Sequence, residues 1–149
     1  PNGIREIPVE EMCVGPGKNA MDEGEFLVSL KLPLKNSSFS ASYERFIPRN
    51  EMDIAVAAVA SSVSLENGKI SSCRIALAAV GPTPIFAEEA SELLIGKEPS
   101  EENIKNASNK AKELASPISD MRGTVEHRKD LIEVLTRRTL SKAVERVGV

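Results

Sequence analysis

Residues 54–80 read IAVAAVASSVSLENGKISSCRIALAAV, two runs of β-branched and small residues either side of Asn67-Gly68. Asn-Gly is the strongest short hairpin signal, because both turn residues of a type I′ turn need positive φ. The alanines of the first arm favour helix on propensity alone. The valines, the serines and the turn that follows decide for strand. A long β-hairpin is therefore the element around which the rest of the chain is arranged.

Upstream, Phe39 to Phe46 forms a further predicted strand, stopped at Pro48, which has no N–H to give a ladder and holds Ile47 extended. Before it, Phe26, Val28, Leu30 and Leu32 recur at every second position and end at Pro33, the pattern of a strand with one buried face. Leu27 sits on the opposite face, apolar where the pattern expects a polar residue. Residues 3–9 suit a short strand. Gly15, Pro16, Gly17, Asn19 and Asp22 make the segment from Cys13 to Glu23 a loop.

Downstream, Gly81-Pro82-Thr83-Pro84 breaks the alternation and the period changes. Ala90, Leu93 and Leu94 fit a short helix stopped by Gly96. Ser100, with Glu101 and Glu102 behind it, opens a second helix carrying Ile104, Ala107, Ala111 and Leu114 and ending near Pro117. Thr124 caps a last helix bearing Val125, Ile132, Leu135, Ala143 and Val147. Strands first and helices second give an α+β class: an antiparallel sheet of three to four strands with a long hairpin, and about three helices packed on one face.

The 149 residues suffice for one ordinary domain, in which roughly 70% of the unfolded chain's surface is buried without a disulfide or metal staple. Aromatic residues make up only 3%, so the core must be built from Ala, Val, Ile and Leu. A net charge of −3 argues against a nucleic-acid binder, which needs an excess of phosphate-neutralising cations. No run approaches the length of a membrane span, and no basic-then-apolar signal segment opens the chain. It opens on Pro1 without an initiator Met, as a piece cut from a longer protein would. Cys13 and Cys73 lack the spacing of a zinc or iron–sulfur site and are expected to be buried small hydrophobes in a reducing, cytoplasmic setting.

Self-contained catalytic apparatus is not expected. His127, the only histidine, lies in the first turn of the last helix, where an ordinary half-exposed residue is the expectation rather than a general base. No phosphate-loop, zinc-protease or nucleophile-elbow motif occurs, and Gly15 and Gly17 alone do not make a phosphate cradle. The pairs Glu88/Glu89 and Glu101/Glu102 are adjacent in sequence, so on a helix they point apart and cannot share a proton. Arg122, Arg128, Lys129, Arg137, Arg138, Lys142 and Arg146 give the last helix a basic bias, read as a solvated face with a protein interface as the alternative. No residue is assigned a catalytic or metal-binding role.

Three stretches together resemble one family. Arg49-Asn-Glu-Met-Asp53-Ile-Ala55 is similar to its R-x-x-x-D-I-A entry into the hairpin. Gly81-Pro-Thr-Pro84 followed by Ala87-Glu-Glu-Ala-Ser-Glu-Leu-Leu-Ile-Gly96 is similar to its TP-x-x-A…AE-x-x-L-x-G segment. Ser119-Asp-Met-Arg122-Gly-Thr-Val-Glu-His-Arg128 resembles SD-x-R-x-S-x-x-Y-R, with His127 in place of the tyrosine. These mark the C-terminal domain of the FAD-binding medium subunit of molybdenum hydroxylases, the group of the carbon monoxide dehydrogenase and xanthine dehydrogenase flavoproteins.

The resemblance implies that residues 1–34 are the tail of a preceding FAD-binding domain and residues 35–149 the C-terminal domain, the whole being a C-terminal fragment. It implies FAD bound mainly by an upstream region, with the molybdenum cofactor and [2Fe–2S] clusters in a large and a small partner subunit. Leu27 matches a leucine that lines the flavin, although a second buried face accounts for it equally well. Arg45 aligns with the family's lysine, and a planar guanidinium does not replace an ammonium freely. Tyr43 is then either an aromatic neighbour of the ring or a strand aromatic capping the core. The alternative implied by the same residues is a structural, subunit-docking module that never touches the flavin.

Overall fold

The computed structural model describes residues 3–33, 37–49 and 52–147. Its centre is the expected hairpin. Strand β4 (Ala57–Glu66) pairs antiparallel with β5 (Lys69–Ala78), and Glu66 faces Lys69 across the two-residue turn. Asn67 and Gly68 take φ of 52° and 76°, the left-handed values that such a turn demands. Strand β3 (Phe39–Phe46) adds to the outer side of β4 and β6 (Ile85–Phe86) to that of β5, giving the order β3-β4-β5-β6.

All helices of the main layer lie on one face of this sheet. Helix α2 (Glu88–Glu92) packs on β5, α3 (Glu101–Leu114) on α2, and α4 (Val125–Glu145) on α3, β4 and β3. Both cap readings are realised: the Ser100 hydroxyl accepts from Asn103 N at 3.2 Å and that of Thr124 from His127 N at 3.2 Å. Val59, Val63, Ile75 and Leu77 of the sheet meet Leu94, Ile104, Ile132 and Leu140. Each such side chain contributes about 1.5–3 kcal/mol when fully buried. Small residues on the helices (Ala107, Ala111 and Ala143) bring the two layers close, which is how a core almost free of aromatics fills its volume.

The N-terminal segment departs from expectation. Residues 3–8 form no strand; instead α1 (Val9–Met12) precedes a tight hairpin of β1 (Cys13–Gly15) and β2 (Lys18–Asn19) within the expected loop. The alternating residues 26–32 pair with no other strand among the described residues. Phe26 is 78% exposed, Leu27 61% and Leu32 87%. Alternation describes what side chains can bury, but a strand also needs a partner for its backbone groups; among the described residues this stretch has no such pairing, and its ties to residues 5 and 6 run through the side-chain pairs Arg5–Glu25 and Lys31–Glu6. Leu27 therefore has no second buried face here.

Polar atoms inside the helix layer give a paired test. Thr139 Oγ1 lies 2.7 Å from Ser61 Oγ and 2.9 Å from the Leu135 carbonyl, tying α4 to β4. Thr136 Oγ1, one turn away and equally buried, has no partner. Thr136→Val should raise the urea midpoint by the equivalent of about 1 kcal/mol, and Thr139→Val should lower it by about 1–3 kcal/mol because Ser61 is left unpaired. Chemical denaturation of the two variants beside the parent checks both signs.

Candidate functional site

The sheet face turned away from the helices is unusual. Register places Tyr43, Ala60, Ala76 and Phe86 in one row across all four strands, with Arg45, Ala58 and Ala78 in the next and Ala41, Ser62 and Arg74 on the other side. Neighbouring strands are about 4.8 Å apart, so the aromatic ends of the first row are separated by roughly 14 Å of alanine floor. Tyr43 is 60% exposed and Arg45 is exposed beside it. At the far end the Arg74 guanidinium lies 4.2 Å over the Phe86 ring and is ion-paired with Glu10 of α1. A flat floor of small side chains with an aromatic and a cation at its edge suits a planar, electron-poor ring carrying anionic groups.

The connections at the Arg45 end are tightly held. Asp53, its side chain only 8% exposed, accepts from Ile54 N at 2.9 Å and Arg49 N at 3.2 Å, with the Arg49 guanidinium at 3.6 Å. Burial alone would raise its pKa; those backbone donors and the nearby cation outweigh it and hold the carboxyl below its ordinary value. Before α4, the Ser119 hydroxyl accepts from Val125 N, and Asp120 pairs with Gly123 through two backbone hydrogen bonds. Asp120 Oδ1 accepts from Arg122 N at 2.8 Å and from Arg128 Nη2 at 2.6 Å, which keep that carboxyl low as well.

Arg128 corrects the sequence reading most sharply. It is not part of a solvated basic face: its side chain is 5% exposed. Nη1 donates to the Val56 carbonyl at 2.8 Å and, more weakly, towards the Ala79 carbonyl at 3.5 Å, while Nε has no partner. Ala79 leaves β5 with a φ of +62°, a conformation that costs a non-glycine residue about 1–2 kcal/mol. His127 behaves as the ordinary exposed residue expected, edge-on to the Phe46 ring at 6.0 Å.

Two of the three motifs, residues 49–55 and 119–128, thus meet at one end of a four-stranded sheet, while the third runs along β5 to Gly96, whose N–H is bonded to the Ile70 carbonyl near the hairpin turn. The model of the CO dehydrogenase flavoprotein C-terminal domain matches residues 42–143, more than half of the chain. The chain belongs to that family. It is 30% identical over 146 residues to the carbon monoxide dehydrogenase medium chain of Afipia carboxidovorans, covering 98% of this chain and 50% of that one. It is 28% identical over 149 residues to the xanthine dehydrogenase FAD-binding subunit of Escherichia coli O157:H7, covering 99% and 51%. The solved carbon monoxide dehydrogenase of Hydrogenophaga pseudoflava superposes with a TM-score of 0.94 at 28% identity, covering 99% of this chain and 51% of that one. The chain spans about half the length of the curated relatives it matches.

Within this flavoprotein C-terminal fold, Tyr43 and Arg45 stand two residues apart on one exposed strand face, so both are free to meet a ligand and Tyr43 does not cap the core. Leu27 lies in the unpaired stretch, 61% exposed. The alanine floor and Phe86 were missed from sequence. Their signal was present in the alternate Ala and Ser positions of β4 and β5, where a sheet covered by a second apolar layer would carry larger side chains. Among the described residues no cluster of three or more His, Cys, Asp or Glu can hold a metal, and no helix is long and apolar enough to cross a membrane.

The cysteines divide rather than sharing a buried environment. Cys73 is buried, which pushes its thiol up to about 12, whereas Cys13 is exposed on β1. A thiol reagent should modify one cysteine in the native state and the second only on unfolding, as mass spectrometry of the labelled chain will show. Asp53 and Asp120 both make the fold sensitive to acid. Because folding lowers both pKa values from 3.8, their stabilisation is present above that pH and lost as the pH falls through the lower, folded values. Thermal melts carried down through this range should fall more steeply for the parent than for Asp120→Asn.

Proposed function

We propose that this chain is the C-terminal part of the FAD-binding subunit of a molybdenum hydroxylase and forms one wall of its flavin site. The observation that carries the reading is the open row of Tyr43, Ala60, Ala76 and Phe86 with Arg45 beside it, a surface that fits a flavin ring at its floor and an anionic or carbonyl group at its edge. Residues 35–149 make up the wall domain. Residues 1–34 belong with an FAD-binding domain, in keeping with the exposure of Phe26, Leu27, Val28, Leu30 and Leu32, which a neighbouring sheet would cover. In that setting Leu27 lines the flavin from the other side.

FAD, when bound, would supply the redox chemistry, connecting the [2Fe–2S] clusters of a small subunit and a molybdenum large subunit to an external acceptor. This chain's residues bind and orient the ring and exclude water from it; none moves a proton. The assembly is cytoplasmic. The relatives, a xanthine dehydrogenase FAD-binding subunit and a carbon monoxide dehydrogenase medium chain, support the cofactor and the subunit class.

The test is an FAD titration, followed by flavin fluorescence, of the chain alone and with the FAD-binding half co-expressed. Binding only to the pair is expected. In the paired protein Arg45→Ala should weaken FAD about tenfold, the size of one charge-assisted contact, and Leu27→Ala and Tyr43→Ala should weaken it without lowering the melting temperature. Unchanged affinity in all three variants would make the chain a subunit-docking module with no flavin contact.

A further inference from the structure

Arg128 does more than bury a charge. Its two Nη atoms reach three separate segments: the Val56 carbonyl at the entry to β4, the Ala79 carbonyl at the exit from β5, and Asp120 in the loop before α4. Val56 in turn donates its N–H to the Phe46 carbonyl at 2.9 Å. A continuous chain of hydrogen bonds therefore runs from Asp120 through Arg128 and the Val56 residue to the last residue of β3. Arg45 is the residue immediately before that one, and it faces Ala58 across the ladder.

The arrangement is poorly explained as a device for stability. A guanidinium that is 5% exposed with its Nε unpartnered retains a desolvation cost that an apolar side chain of similar volume would not carry. What the guanidinium provides, and an apolar residue cannot, is direction. Its planar fork holds two carbonyls and a carboxylate in a fixed relation. Asp120 is itself fixed by Arg122 N and by its bridge to Gly123. Everything the fork holds lies at the end of the sheet where Arg45 stands.

We infer that Arg128 is a positioning residue for the flavin site: with Asp120 it sets the end of β3 so that Arg45 presents its guanidinium to the cofactor. This rests on the reading of Arg45 as a flavin contact. Arg128 touches no ligand itself. Its influence on FAD is predicted to pass through Arg45, and to be lost when Arg45 is absent.

The experiment is a double-mutant cycle in the full-length FAD-binding subunit. FAD dissociation constants are measured well below the melting temperature for the parent, Arg45→Ala, Asp120→Asn, Arg128→Lys and the two combinations with Arg45→Ala. Arg128→Lys keeps the charge but loses the fork, and Asp120→Asn keeps the loop but weakens its hold on Arg128, so a failure of one to fold leaves the other to decide. Each should weaken FAD about tenfold when Arg45 is present and have little further effect when Arg45 is alanine, the non-additivity expected of residues in one network. Equal fold-losses in both backgrounds, or full affinity in a folded Asp120→Asn or Arg128→Lys, would overturn the inference. Full affinity in Arg45→Ala alone would overturn the reading beneath it, and is seen in a different variant.

Discussion

The pairing of β4 with β5 is the constraint from which the rest of the structure follows. Ten residues on each side meet through a two-residue turn, so each side chain of the two strands is assigned to one face or the other. Valine, isoleucine and leucine on one face require a cover, and α2, α3 and α4 provide it. Alanine and serine on the other face require none, and that face is left as a shallow floor. A one-residue slip would expose the large side chains and bury the small ones. The same register that builds the core therefore also builds the candidate flavin surface.

The ends of the sheet are secured differently from its middle. In the middle, apolar packing is dense and few polar side chains take part. At the Arg45 end, Asp53, Asp120 and Arg128 gather backbone groups that leave the ladders and would otherwise lack partners. Along β3, Arg146 donates to the Ala41 carbonyl at 3.2 Å and Lys142 pairs with Glu44, so α4 shields part of the outer edge of that strand. Such cover blunts an edge strand as a template for wrong pairing. It leaves the face bearing Tyr43 and Arg45 open.

The family motifs acquire physical roles in this light. Arg49 and Asp53 close the connection into the hairpin, and Asp120, Thr124 and Arg128 organise the entry to α4. They hold the strand ends that carry the candidate contacts, which is what a domain serving as the wall of a cofactor site needs to do.

Much of this was legible in the chain. The hairpin and its turn, the β3 strand, both capped helices and the α+β class follow from period, propensity and capping, which are local properties and need no knowledge of distant residues. Tyr43 and Arg45 entered as candidates through the family resemblance, and the ladder of β3 with β4 puts them on one exposed face. Tertiary structure alone decided the rest. Residues 26–32 alternate as a strand does, yet strand formation depends on a neighbour that spacing cannot reveal. Cys13 and Cys73 look alike in sequence and differ only in what surrounds them. Arg128 sits among cations on a helix and reads as solvated; its burial depends on Val56, Ala79 and Asp120 arriving from three places in the chain, and no local pattern records that meeting.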